Sequence, residues 1–344
     1  MHRNNFDFLR LLFATLVLIT HSYTLSGLPE NDFLSQWTHG QISCSSLGVK
    51  GFFIISGFLI FQSVLRSKNW FDYMIKRILR IYPAYMIVLV VGLLVAWGLT
   101  DLNTQQFFAD RSARNYISQN LAMFLPLKYQ VDNVFATNPY KYAINGSIWT
   151  IPYEFLFYIL LSLTFILKQF TKLLTILFIA GFVLLFLCML RYENVPAYYI
   201  PADTFEIHLL MHLALCFFGG AALAAIRIHE FRYKLLLLIG TIILLFVIIG
   251  LHKFYYTQFI LLPVIIILIG TYATKGIAGL NKTMGDFSYG IYLYGFIVQQ
   301  TLIHFFNLDH LQLMFIAIPI TFILGALSWY LIEKRALTLK KYFP

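Results

Sequence analysis

Charge is what this sequence has least of. Only 12% of its 344 residues are Asp, Glu, Lys or Arg, while 60% are hydrophobic. A soluble domain needs more polar surface than that. With a mean hydropathy of +0.75, the composition points to an all-α polytopic membrane protein. Acidic residues are the scarcer sign, 15 against 25 Lys and Arg. That imbalance calls for no nucleic-acid partner, because the basic residues cluster in short loops between apolar spans, as the positive-inside rule demands. Cysteine is nearly absent too. Cys44 in a loop and Cys188 and Cys216 inside spans make neither a disulfide framework nor a metal-ligand spacing. His208 and His212 lie four apart on one helix face without an HExxH pattern or a carboxylate partner, so no metal is expected. There is no internal repeat, no Gly/Ser linker and no soluble segment, and residues 1–344 read as a single membrane domain. Arg10 interrupts the first apolar stretch and no small-residue cleavage site follows it, so that stretch reads as a span rather than a signal peptide.

About ten stretches are apolar enough to cross a bilayer: 7–25, 47–65, 83–100, 149–168, 172–190, 207–226, 234–251, 255–274, 287–306 and 311–332. With the N-terminus inside, seventeen Lys and Arg fall on the inner side, among them Arg3, Lys275 and Lys282, and six on the outer. The asymmetry predicts both termini in the cytoplasm. Two outer loops stand out. Ser26–Ser46 has no Lys or Arg, and the long Asp101–Ile148 is rich in Asn, Tyr and Phe, with a re-entrant or interfacial helix expected near Tyr116–Leu125. Such aromatic loops suit sugar recognition and interfacial anchoring alike.

Within the spans a few ionisable residues remain, and these are functional candidates by default. Arg10 and His21 are eleven apart in the first span, which places them on one stripe about 16 Å apart along the axis. Two readings are open: Arg10 reaching the headgroups with His21 a satisfied interior histidine, or a working pair. Counting inward from the outer end puts His21, Glu154 and Lys50 in the outer third, with His21 and Glu154 within reach of one layer. The inner half holds Arg10 and the Lys76, Arg77, Arg80 cluster, followed by Tyr82 and Pro83. The outer layer could do acid–base work; the inner one could hold phosphates or merely obey the charge rule. No serine or cysteine has a neighbour suited to activating it.

These residues resemble the acyltransferase-3 family, bacterial inner-membrane O-acyltransferases of surface glycans. FDFLRLLFATLVLITHS carries the family's Arg-x10-His pattern, and SLGVKGFFIISGFLI is similar to its second span. KRILRIYPAY is similar to its basic motif, and SIWTIPYEFLFYIL to its Trp-Thr-x-x-x-Glu span. GDFSYGIYLYGFIVQQ and LSWYLIEK are similar to its closing spans. The matches run in order along nearly the whole chain. Two departures stand out: Lys50 replaces an Asp or Pro common in members, and Tyr294-Gly295-Phe296 replaces a Leu-Trp-His sequence.

The resemblance implies a bacterial inner-membrane enzyme taking an acyl group, most commonly acetyl from acetyl-CoA, and passing it to a glycan hydroxyl. On that basis Lys76, Arg77, Arg80 and Tyr82 would hold the donor. Arg10 and His21 would line its path, His21 would serve as general base or acyl carrier, and Glu154 would orient the imidazole. The alternative is a proton-coupled transporter using the intramembrane His and Glu, which the lack of repeat symmetry disfavours.

Overall fold

A computed structural model describes residues 4–192, 199–200, 205–272, 274 and 286–343. Arg3, Lys275, Lys282 and the leading Gly285 of the ninth-span motif lie outside the described residues. The helices in chain order are α1 (Phe6–Leu25), α2 (Phe33–Trp37), α3 (Cys44–Arg66), α4 (Trp70–Leu99), α5 (Thr104–Ala109), α6 (Arg111–Leu121), α7 (Ile151–Ser162) and α8 (Thr171–Tyr192). They continue with α9 (Ile207–Ala225), α10 (Lys234–Gly250), α11 (Phe254–Thr271), α12 (Ser288–Phe305), α13 (His310–Ser328) and α14 (Lys334–Thr338). Eight helical segments are long and apolar enough to cross a membrane, and α10 is a shorter apolar helix. With α12, whose inward face is buried, each of the ten expected spans falls on a helix. Among the described residues the β-structure is a two-residue strand pair, Tyr199–Ile200 with Phe205–Glu206, and an isolated bridge between Gln130 and Ala143.

Span three differs from the expectation. The basic run Lys76–Tyr85 is not an inter-span loop but the opening turns of α4, 30 residues long with Pro83 inside it. The Asn69 side chain accepts from the Asp72 amide at 2.8 Å and starts the helix early. A proline within a membrane helix is tolerated where neighbouring groups support the freed backbone. The second long loop also holds a helix, α6, which overlaps the one expected near Tyr116–Leu125 and has Tyr116 and Asn120 buried.

Backbone contact holds the centre. A Cβ on Gly57 of α3 would stand 1.8 Å from the Phe217 carbonyl oxygen of α9, and one on Gly220 would stand 2.1 Å from that of Ile54. Only glycines allow that approach, the device membrane helices use where no hydrophobic driving force favours their association. Antiparallel to α3 runs α1: Thr20 meets Ser45 near one end and Phe6 meets Phe58 near the other. The start of α1, the end of α11 and the α3–α4 turn therefore share one end of the bundle, as Asn5–Gly270 (2.8 Å) and the Lys168–Ser67 contact record. That end carries the basic cluster.

Candidate active site

A cavity of about 370 Å³ enters the bundle at the basic end, walled by α1, α3, α4, α7, α12 and the C-terminal turn. From its mouth inward the chemistry changes in layers. Arg66, Lys76 and Lys340 stand at the mouth, Arg77 and Ser63 come next, and Glu154, Ser56 and Tyr158 lie deeper. The aromatic pair Phe52–Tyr292 stands at the far end with ring centroids 5.9 Å apart.

The helix period explains who faces in. Lys76 and Arg80 are four apart on α4 and share a face, with Arg77 beside them. Tyr82, two residues past Arg80, is turned by about 200°; it packs edge-on against Phe155 at 5.6 Å and does not line the cavity.

The cations are not equivalent. Arg80 donates to Asp286 at 2.6 Å and to Glu333 at 3.0 Å, while Arg10 donates to Asp286 at 3.0 Å. Two guanidiniums thus meet two carboxylates. Ser288 and Ser328 donate hydroxyl bonds to those acids at 2.6 and 3.1 Å. Burial disfavours ionisation of Asp286, but the Arg80 and Arg10 guanidiniums and the Ser288 bonds hold its carboxyl below the usual range. Lys76 pairs with Asp72 at 2.7 Å. Arg77 has no carboxylate among the described residues. It reaches the Ser63 hydroxyl at 3.4 Å, lies 5.8 Å from the ring centres of both Tyr73 and Tyr158, and its Nε is buried without a partner.

Glu154 sits in the first turn of α7. Ser56 Oγ donates to its Oε1 at 2.8 Å, and the Tyr158 hydroxyl donates to the same oxygen. Its Oε2 has no hydrogen-bond partner among the described residues, and Glu154 is part of the cavity wall. Here the expected pairing with His21 fails. Thr20, next to His21, meets Ser45, whereas Glu154 meets Ser56, eleven residues further along α3. That separation is about 16 Å of axial rise. The physical reason is that the chain is already at the depth of His21 by Gly146, which packs on Phe296, the ring that stacks edge-on against His21 at 5.5 Å. Asn145 caps the 3-10 turn Gly146–Thr150 and donates to the Leu293 carbonyl at 2.9 Å. Depth counted from Trp149 therefore set Glu154 too shallow.

His21 is half-buried, outside the cavity, with its Nδ1 buried and without a hydrogen-bond partner among the described residues. Around it lies the outer polar layer. Gln299 donates to Ser22 at 2.8 Å, and Lys50 donates to Ser46 at 2.7 Å and Gln258 at 2.6 Å. The first outer loop is pinned there by Asp32, which accepts from Thr20 Oγ1 at 2.6 Å and from the amides of Leu34, Ser35 and Cys44. Burial opposes the charge of Asp32, yet these donors hold its carboxyl below the ordinary value.

Sequence reasoning missed Asp286, Glu333, Ser56 and Tyr158. Asp286 and Glu333 did carry a signal: they are carboxylates at the margins of two spans, in a layer rich in cations, where some compensation is required.

The acyltransferase-domain family model matches residues 3–334. An O-acetyl transferase of Shigella phage Sf6 is 32% identical over 98% of this chain and 97% of its own length. Nodulation protein 10 of Rhizobium leguminosarum bv. viciae is 28% identical over 98% of this chain and 94% of its own length. No solved structure matches. With an acyltransferase match over nearly its whole length and a membrane-helix bundle around a basic cavity, the chain belongs to the acyltransferase-3 family.

Proposed function

We propose that this membrane O-acyltransferase takes an acyl group from acyl-CoA entering from the cytoplasm and gives it to the hydroxyl of a glycan presented at the other face of the bacterial inner membrane. The O-acetyl transferase among its relatives favours acetyl, and so acetyl-CoA as donor. The observation that carries the reading is the cavity, which joins a mouth of cations to a buried polar cluster along one path. Arg77, the guanidinium without a carboxylate, takes the donor's pyrophosphate as a charge-assisted contact. Arg10 and Arg80, each already paired, brace the walls. Glu154 offers its free carboxylate oxygen to an amide N–H of the donor's arm as it passes toward Phe52 and Tyr292.

His21 lies one layer beyond that aromatic pair, on the side where the outer loops converge, and acts on the acceptor. Its imidazole removes the hydroxyl proton and the oxygen attacks the thioester carbonyl. The carbon–sulfur bond then breaks, and the CoA thiolate leaves with the proton. A second reading has its own support, since Glu154 and not His21 lines the cavity. In it the carboxylate is the base.

Acyl transfer and donor binding, measured per mole of purified protein, separate the two. The first reading predicts that His21→Asn loses about 10²–10⁴ in rate while acyl-CoA binding stays normal, and that Glu154→Gln weakens donor binding. Near wild-type turnover in His21→Asn, with none in Glu154→Gln, moves the base to Glu154. Wild-type protein that binds no acyl-CoA ends both.

A further inference from the structure

The basic C-terminal segment has a place in the cavity that its position after the last span does not suggest. Glu333, Leu337 and Lys340 are spaced four and three apart, one helical face. Glu333 locks that face to α4 through Arg80 at 3.0 Å, and Leu337 and Lys340 complete the cavity wall at its mouth. Across the mouth stands Arg66, the last residue of α3, whose Nε donates to the Gln62 carbonyl at 3.2 Å. Arg66 and Lys340 are exposed, line the same cavity, and neither forms an ion pair among the described residues. Two cations from opposite walls of one cavity mouth, neither paired with an acid among the described residues, are a site for a dianion.

We propose that Arg66 and Lys340 form a second anion subsite, taking the terminal 3′-phosphate of the donor nucleotide. The inference rests on the acyl-CoA reading above and follows from the order of groups along the cavity. A donor that enters arm first presents its pyrophosphate next and its phosphorylated ribose last. Arg77 lies level with Ser63, about one turn of α3 inside Arg66, so the inner cation meets the pyrophosphate and the mouth pair meets the outermost phosphate. The subsite makes the enzyme select CoA thioesters over donors lacking that phosphate.

Purified, detergent-stable protein is titrated with CoA and with 3′-dephospho-CoA, with thermal unfolding run alongside to verify folding. Wild type should prefer CoA by about tenfold, the sum of two partly solvated cation–phosphate contacts. Arg66→Gln/Lys340→Gln should erase the preference and leave dephospho-CoA affinity unchanged, whereas Arg77→Gln should weaken both ligands alike. Lys340→Gln alone carries the same test with a smaller effect if the double variant is unstable. Equal wild-type affinity for the two ligands overturns the subsite, as does a double variant that weakens both equally, the mark of a general positive field. Wild type that binds neither ligand overturns the donor reading itself.

Discussion

Four guanidiniums line one cavity, and the partners of the inner three, Arg10, Arg77 and Arg80, divide their work. Arg80 holds two carboxylates and Arg10 shares one of them, so removing Arg80 leaves Asp286 and the nearly inaccessible Glu333 short of a counter-charge. Breaking such a buried set costs roughly 3–5 kcal/mol. Arg80→Gln should therefore lower the thermal unfolding midpoint sharply, and Arg80→Gln/Glu333→Gln should recover part of the loss. Arg77→Gln should leave that midpoint near wild type and weaken acyl-CoA binding about tenfold or more, the size of a charge-assisted contact. Calorimetry and donor titration on both variants check the division; equal effects on both properties would contradict it. The Arg10–His21 stripe was readable because helical periodicity is local. The Arg10–Asp286 pair spans 276 positions, and no local pattern reports a partner that far away.

Among the elements, the α3–α9 crossing depends most on single atoms. A methyl on Gly57 meets the Phe217 carbonyl at a distance no packing allows, while one on Gly98 of α4 meets nothing within 4 Å. Gly57→Ala should lower the yield and melting temperature of folded protein, an overpacking cost of about 1–3 kcal/mol; Gly98→Ala should be neutral or slightly stabilising. Comparable melting for the two variants would remove the crossing from the account. The first outer loop has a pH signature of its own. The Asp32 carboxyl is depressed below its unfolded value of about 3.9, so its contribution is complete above that pH and lost as pH falls through the lower native value. Asp32→Asn should lower the melting temperature at pH 7 and flatten the acid limb of the stability profile. An unchanged acid limb would assign the loop's anchoring elsewhere. The start of α4 shows why element boundaries were less legible than elements. The Lys76–Arg80 run reads as a loop by hydropathy, but the Asn69 cap and the ion pairs along it make it helix.

For the whole molecule, the positions and order of the apolar helices were legible because crossing a bilayer requires about twenty apolar residues in a row, a signal the sequence carries without tertiary help. The depth of Glu154 was not, because it depends on how the turn Gly146–Thr150 seats against α12. The cavity was not legible either, since six elements build it. The charge asymmetry predicts that reporter fusions after Ser67 read cytoplasmic and fusions within Asn31–Gln41 read external; the reverse would turn the cavity mouth outward and remove the cytoplasmic donor. The most direct measurement of the central claim uses inverted membrane vesicles that carry the protein and its glycan, supplied with radiolabelled acetyl-CoA at the former cytoplasmic face. Wild-type vesicles should accumulate label in the glycan fraction as a base-labile ester, and His21→Asn vesicles should not, although both bind the donor. Label that remains on CoA in wild-type vesicles, or passes to glycan equally well in the variant, would contradict the account.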